Sequence, residues 1–499
     1  MRSEKNIRKP AKTGSRNRLQ LTPRSPALSI LLLVVFLSEI VFMLLFGIVD
    51  VLPGKFMAVV LILIIAVDAV VTILLNSRKD VTKRRKTGVV ISILIIAGFI
   101  VGSYYLYSTY SMFSRISDED KQMEDFHVIV LEDGSYEEPD DINGKTVYVT
   151  TGESDTYKEA KGRLMSEEDI SYETAESYLD VGYMLIDEDG KKQDNIIFLN
   201  NTSYEMLCDE IDNFEKQTKI IYTISIEISS DDIAKRIDVT KDPFNIYISG
   251  IDTYGGIGTV SRSDVNMIMT VNPTTKEILL TSIPRDMYVE LHSYGAMDKL
   301  THTGIYGIEE TVTTAEDWLA LDINYYIRVN FTTLMDIVDV IGGIDVESEY
   351  AFKSSVSQYS YVKGTNHLDG EAALYFARER KSFKDGDNER VKNQQRVIKG
   401  IINKVTTSPV ILTRYTQLLN AVGDKMQTNL TDKDISALVK LQLNDLGGWN
   451  IKSQSIKGKG TYAATYSMGS RELYVAIPDE KSVEAAQKAV NTVMYPAKQ

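Results

Sequence analysis

The sequence predicts an α/β protein anchored in a membrane: three N-terminal transmembrane helices, a small α/β accessory domain, then a larger α/β/α domain with a mixed central sheet. Three observations predict it. Apolar runs at about 28–49, 56–75 and 88–107 each approach the ~20 residues a bilayer requires. From about residue 124, short β-branched runs alternate with charged amphipathic stretches, the signature of layered α/β domains. The chain divides again near Asp242-Pro243, where a second and longer alternation begins.

Residues 1–27 form a basic segment, with eight Lys/Arg in the first 24 residues. The first apolar run exceeds a signal-peptide core and lacks a small-residue cleavage site, so it reads as a retained anchor. The link DVLPGK carries one Lys/Arg and the link NSRKDVTKRRKTG carries six, which puts the N-terminus and the second link in the cytoplasm and everything after about 108 outside. Residues 1–108 hold 15 Lys/Arg against 5 Asp/Glu, whereas the remainder carries a net charge of −24. That acidity argues against a nucleic-acid partner. Glu39 and Asp68 interrupt the first two spans and read as a hydrogen-bonded pair or as a sensing element.

Residues 108–242 comprise a polar stalk (109–122) and the accessory domain. Strands are predicted at FHVIVL, KTVYVTT, NIIFL and IIYTISIEI, with helical stretches at SYETAESYL and SYEMLCDEIDNF. No catalytic constellation occurs there. Cys208, the one cysteine, excludes an internal disulfide and reads as a small buried hydrophobe. His127, His292, His302 and His367 lack metal-ligand spacing.

The larger domain, residues 243–499, opens with a strand FNIYISG and a hairpin, VNMIMTV and ILLTSI around the turn NPTTKE. Symmetry about Thr274 and Thr275 places Asp264 opposite Arg285 at the open end of the hairpin. Helix TVTTAEDWLALD, strand INYYIRVN, helix FTTLMDIVDVIGG with its terminal glycine pair, strand IDVESEY, helix GEAALYF and a long helix at 388–405 follow. Leu334, Ile337, Val338 and Ile341 form an apolar stripe, read as core or as the wall of a lipid-tail pocket.

Charged residues gather at the ends of these elements: Asp252, Arg262, Asp264, Arg285, Arg378, Arg380, Asp387 and Arg390. Arginine grips phosphate oxygens at two points, and paired carboxylates suit a hard divalent cation. Arg390 and Gln394 share one helix face near its N-terminus, where the dipole favours an anion. Together these residues describe a diphosphate–metal site.

The order GID, RSDVNM, SIPRD, K-L, IGGIDV, LDGEAALYFARER and D-x-x-R-x-x-x-Q resembles the LytR-CpsA-Psr family, strongly so over 243–405. The spans and accessory domain are similar to those of its capsule-locus members. The resemblance implies a phosphotransferase moving capsular polysaccharide from a polyprenyl-diphosphate carrier to peptidoglycan. It implies Mg2+ (or Mn2+) held by Asp252 and Asp264. Arg262, Arg285, Arg378, Arg380, Arg390 and Gln394 match the residues around the diphosphate, and Asp387 a further acid. Lys299 matches a motif lysine, but Thr301 stands where many relatives have Asn. Asp252 or Asp387 would serve as general base and Arg285 as the most critical arginine, whereas Lys381, just past the motif, is expected to be neutral. The alternatives are a polyprenyl-diphosphate hydrolase and a non-enzymatic regulator.

The link asymmetry predicts that a reporter fused after Gln499 is exposed outside the cell and one inserted near Lys83 is cytoplasmic. Protease accessibility in wall-stripped cells checks both, and a protected C-terminus reverses the topology.

Overall fold

The computed structural model describes residues 26–50, 52–75, 81–117, 122–151, 154–228, 232–251, 257, 261–408, 414–445 and 447–496. The chain divides into two compact units. The first contains helices α1 (Pro26–Val49), α2 (Gly54–Leu75) and most of α3 (Val81–Ser117), all long and apolar enough to cross a membrane. Their large aliphatic side chains point outward, as lipid-facing surfaces do: Leu33, Leu44, Ile62 and Ile73 are all more than half exposed. Glu39 is buried against Asp68 on the neighbouring helix. The stretch read as a polar stalk is a continuation of α3 through Ser117. Once started, a helix extends through polar residues at little cost.

In the second unit, a five-stranded sheet of order β3-β2-β4-β1-β5 forms the accessory region. Its strands are β1 (Gln122–Leu131), β2 (Thr146–Thr150), β3 (Ser171–Ala175), β4 (Ile196–Asn200) and β5 (Thr218–Ile228). Helices α4 (Asp155–Glu167), α5 (Tyr178–Tyr183), α6 (Asn201–Glu210) and the short α7 (Phe214–Gln217) cover it. The stretch SYETAESYL is not one helix: its first five residues are the edge strand β3, paired only to β2 and in parallel. Their side chains are mostly exposed, so the buried-face alternation that marks a strand is missing. Cys208 is half-buried rather than fully buried, against the accessory core.

The second sheet has six strands in the order β16-β11-β6-β7-β8-β17 and mixes parallel and antiparallel pairs. They are β6 (Phe244–Ile251), β7 (Ser263–Asn272), β8 (Glu277–Ile283), β11 (Tyr325–Val329), β16 (Met426–Thr428) and β17 (Asn450–Ser455). One face, with Tyr247, Ile268 and Leu279, packs on α8 (Ile308–Leu319) and on α14 (Glu480–Met494). The other, with Ile246, Ile248 and Leu280, packs on α11 (Gly386–Thr407) and on α13 (Asp432–Asn444). Helices therefore cover both faces, as the α/β/α reading requires. The register pairs Asn272 with Glu277 and Asn266 with Ile283, so the hairpin is centred between Thr274 and Thr275 as expected.

Beside the sheet, α9 (Phe331–Val340), α10 (Gly370–Arg378) and α11 enclose a third core with strands β12 (Ile344–Ser348) and β15 (Gly364–Leu368). Gly342 and Gly343, both at φ 81°, turn the chain out of α9 into β12, a conformation costly for any residue with a Cβ. Minor pairs are β9 (Tyr288–Glu290) with β10 (Met297–Lys299), and β13 (Phe352–Lys353) with β14 (Ser360–Tyr361). Helix α12 (Tyr415–Val422) packs on α9. A last hairpin, β18 (Gly458–Thr465) and β19 (Gly469–Pro478), inserts Met468 and Leu473 into the accessory core. The regions either side of Asp242-Pro243 therefore share apolar packing.

Gly370 opens α10 against the backbone of α9, where an added Cβ would lie 2.4 Å from the Met335 carbonyl oxygen. Gly370→Ala should therefore separate the two helices and cost ~1–3 kcal/mol of stability. The shift of the urea unfolding midpoint measures this, and an unchanged midpoint refutes it.

Candidate functional site

A cavity of about 500 Å³ opens where the sheet edge meets α9, α10 and α11. The open end of the β7–β8 hairpin supplies Asp264 and Arg285, and the residue before β7 supplies Arg262. Arg378 closes α10, Arg380 follows it, and Arg390 and Gln394 project from the second and third turns of α11. All seven line the same cavity. Apolar side chains, among them Val265, Phe331, Leu334, Leu374 and Ile398, also line it. The stripe on α9 thus divides between both readings: Leu334 faces the cavity, whereas Val338 and Ile341 are buried in the adjoining core.

The hairpin register delivers the central contact. Arg285 Nη1 donates to both oxygens of Asp264 at 2.9 Å, and the Thr301 hydroxyl donates to Asp264 Oδ1 at 2.9 Å. The threonine standing in place of asparagine thus supports the site acid. Burial opposes the Asp264 charge, but Arg285, Arg262 and Arg390 together with the Thr301 hydroxyl outweigh it and hold the carboxyl below its usual range. Arg285 is likewise disfavoured by burial yet held above its ordinary value by Asp264 and Asp286. Arg390 is depressed by burial, which outweighs the support of Asp387 and Asp264, while Arg285 and Arg380 repel it. The Nε atoms of Arg285 and Arg390 are buried and have no hydrogen-bond partner among the described residues.

Two expected site residues are not among those lining the cavity, and a third falls outside the described residues. Asp387 is ion-paired with Arg390 and lies outside the cavity wall. Lys299 also lies outside it and pairs with Asp286 at 3.3 Å, the residue after Arg285. Asp252 lies outside the described residues. Conversely Lys381, expected to be a bystander, lines the cavity because the chain folds back after α10.

Other participants were not apparent from residue type. Phe331, the first residue of α9, carries the Arg378 guanidinium over its ring at 4.1 Å. Glu379, between the two motif arginines, is 1% exposed and accepts from the backbone N–H groups of Ser355, Arg380 and Ser382. It fastens the loop bearing Ser355 and Val356 over the cavity. An acid conspicuously flanked by arginines was the available signal for Glu379; Phe331 offered none.

A divalent cation would find one carboxylate here among the described residues, Asp264, already engaged on both oxygens by Arg285. Most of its ligands would have to be phosphate oxygens, as is usual for Mg2+.

Because the folded-state value of Asp264 is depressed, its stabilising contribution is complete above the unfolded value near pH ~3.9 and is lost as pH falls through the folded one. Asp264→Asn should lose about 3 kcal/mol at neutral pH by stranding Arg285. Its stability should also fall less steeply below pH ~4 than that of the parent. Denaturant midpoints across pH 3–7 check both, and parallel profiles contradict the pairing.

Residues 198–491 match the LytR_cpsA_psr family. The match begins upstream of Asp242-Pro243, inside the accessory region. A Bacillus licheniformis protein named polyisoprenyl-teichoic acid–peptidoglycan teichoic acid transferase TagU is 39% identical over 205 residues, covering 41% of this chain and 65% of that one. Its Bacillus subtilis counterpart is 38% identical over 223 residues, 44% of this chain and 70% of that one. A crystal structure of B. subtilis TagU aligns with 52% of this chain and 100% of its own at 32% identity, with a TM-score of 0.41. With the family match spanning more than half of its length, the chain belongs to the LytR_cpsA_psr family.

Proposed function

We propose that this protein is a membrane-anchored phosphotransferase that moves a polysaccharide from a polyprenyl-diphosphate carrier to peptidoglycan. The single observation that supports this most is one cavity lined both by five arginines and by apolar side chains. A diphosphate that bears a lipid tail offers charge to the arginines and apolar surface to the rest of the lining. The buried Nε atoms of Arg285 and Arg390, which make no hydrogen bond among the described residues, would complete their hydrogen bonding on phosphate oxygens. Relatives named as teichoic acid transferases agree with the reaction class. We assign capsular polysaccharide as the polymer, from the arrangement of three spans and accessory domain.

In this reading an acceptor hydroxyl attacks the phosphorus next to the sugar. An O–P bond forms, the bridging P–O bond breaks, and polyprenyl phosphate departs. The arginines offset the charge that repels the incoming hydroxyl and stabilise charge developing on the leaving phosphate. A bound Mg2+ or Mn2+ would supply further charge neutralisation at the phosphate oxygens. Arg285, fixed by Asp264, is oriented before substrate arrives. Asp252 or Asp387 would take the hydroxyl proton. The basic links support an outward orientation of the domain, on the side of the membrane where the wall lies.

Arg285→Lys should fail although it keeps the charge, because lysine cannot make the planar two-point contact. The expected loss is on the order of a hundredfold, ~3 kcal/mol in the barrier. Release of polyprenyl phosphate from a purified lipid-linked substrate measures it. Parent rates in that variant remove Arg285 from the chemistry, and full activity in excess chelator removes the metal.

A further inference from the structure

A group of three tyrosines stands apart from the residues that line the cavity. Tyr294, Tyr306 and Tyr466 lie far apart in sequence, yet their ring centroids stand 4.7, 4.9 and 6.2 Å apart. Tyr306 is half-buried, while Tyr294 is 42% and Tyr466 48% exposed. Three contacting rings partly open to water are costly to leave bare, and scattered surface tyrosines do not cluster in this way.

The cluster is held rigidly. The Tyr466 backbone N–H donates to the Met297 carbonyl at 3.0 Å. Beside it, the Ser467 N–H donates to Asp298 at 2.8 Å, and the Ser467 hydroxyl meets His302 at 2.7 Å. Tyr306 ends the 3-10 segment Leu300–Tyr306, whose second residue, Thr301, holds Asp264. At a rise of ~2.0 Å per residue the two are ~10 Å apart along that segment. The accessory region adds Tyr178, 7% exposed and within electrostatic reach of Tyr306, whose hydroxyl has no hydrogen-bond partner among the described residues.

We infer that Tyr294, Tyr306 and Tyr466 form a stacking platform for an uncharged pyranose chain, the acceptor glycan of the reading above, on which this inference rests. Pyranose rings with equatorial substituents present flat C–H faces that pack on aromatic rings, while tyrosine hydroxyl ends remain available to sugar hydroxyls. The surroundings select against a polyanion. Tyr294 lies within the field of Glu310 and Glu124, and its hydroxyl is pushed up to about 12, chiefly by burial and then by Glu310. A phosphate-bearing chain would be repelled where a neutral one is not.

Calorimetry on the full chain in detergent tests this with the uncharged β-1,4-linked hexamer of N-acetylglucosamine. The parent should bind it. Tyr294→Ala and Tyr466→Ala should each weaken binding about tenfold, equivalent to ~1.4 kcal/mol. Tyr294→Phe should stay within about twofold, and Tyr462→Ala, an exposed tyrosine outside the cluster, should be unchanged. Arg285→Lys should bind the hexamer as the parent does, so a failure of the transferase reading leaves this measurement interpretable. No binding by the parent, parent affinity in both alanine variants, or preferential binding of poly(glycerol phosphate) to the same tyrosines overturns the platform.

Discussion

Five guanidinium groups share one small cavity, and Asp264 is the carboxylate that makes such crowding tolerable. Without it Arg285, Arg262 and Arg390 would face one another across a poorly solvated space, where repulsion is screened far less than at a surface. With it, Arg285 is fixed, and Arg390 is supported by Asp264 as well as by its own ion pair with Asp387. Five guanidinium groups still outnumber the one carboxylate among the residues that line the cavity. An arriving diphosphate relieves strain at the arginines while their existing hydrogen bonds keep them in place, so little reorganisation accompanies binding.

Much of this was readable from the chain because it depended on local symmetry. The hairpin turn fixes its centre, and once the centre is known the pairing of Asp264 with Arg285 follows by counting. The helical face shared by Arg390 and Gln394 follows in the same way. What escaped required knowing which distant elements meet. Phe331 supports Arg378 only because α9 lies beside the end of α10, and Thr301 reaches Asp264 across 37 positions. Lys381 enters the cavity through a chain reversal that no periodicity announces. The edge strand β3 was hidden by its own exposure, since a strand with little buried face has little apolar alternation.

The accessory region is similarly instructive. Sequence suggested a spacer, a regulatory or a binding module, because it contains no catalytic constellation. Its core, however, receives Met468 and Leu473 from a hairpin that belongs in sequence to the far end of the catalytic region. Arg471 on that hairpin reaches Glu210 at 3.0 Å, and the Ser261 hydroxyl donates to Glu205 at 3.2 Å, one residue before Arg262. Accessory packing is therefore coupled to the segment that delivers a cavity arginine.

The exposed turn between β7 and β8 acquires a significance that its position conceals. It lies about ten residues, ~30 Å of extended chain, from Arg285 and touches none of the cavity. Surface turns of this kind ordinarily accept extra residues freely. Here a single inserted residue would shift one strand against the other, and side chains that now face each other would point to opposite sides of the sheet. The turn acts as a gauge block: a spacer of fixed size, remote from the working surfaces, that sets their alignment. Variation in its length would therefore be constrained by chemistry performed at the other end of the hairpin, and a sequence comparison limited to the cavity would overlook it.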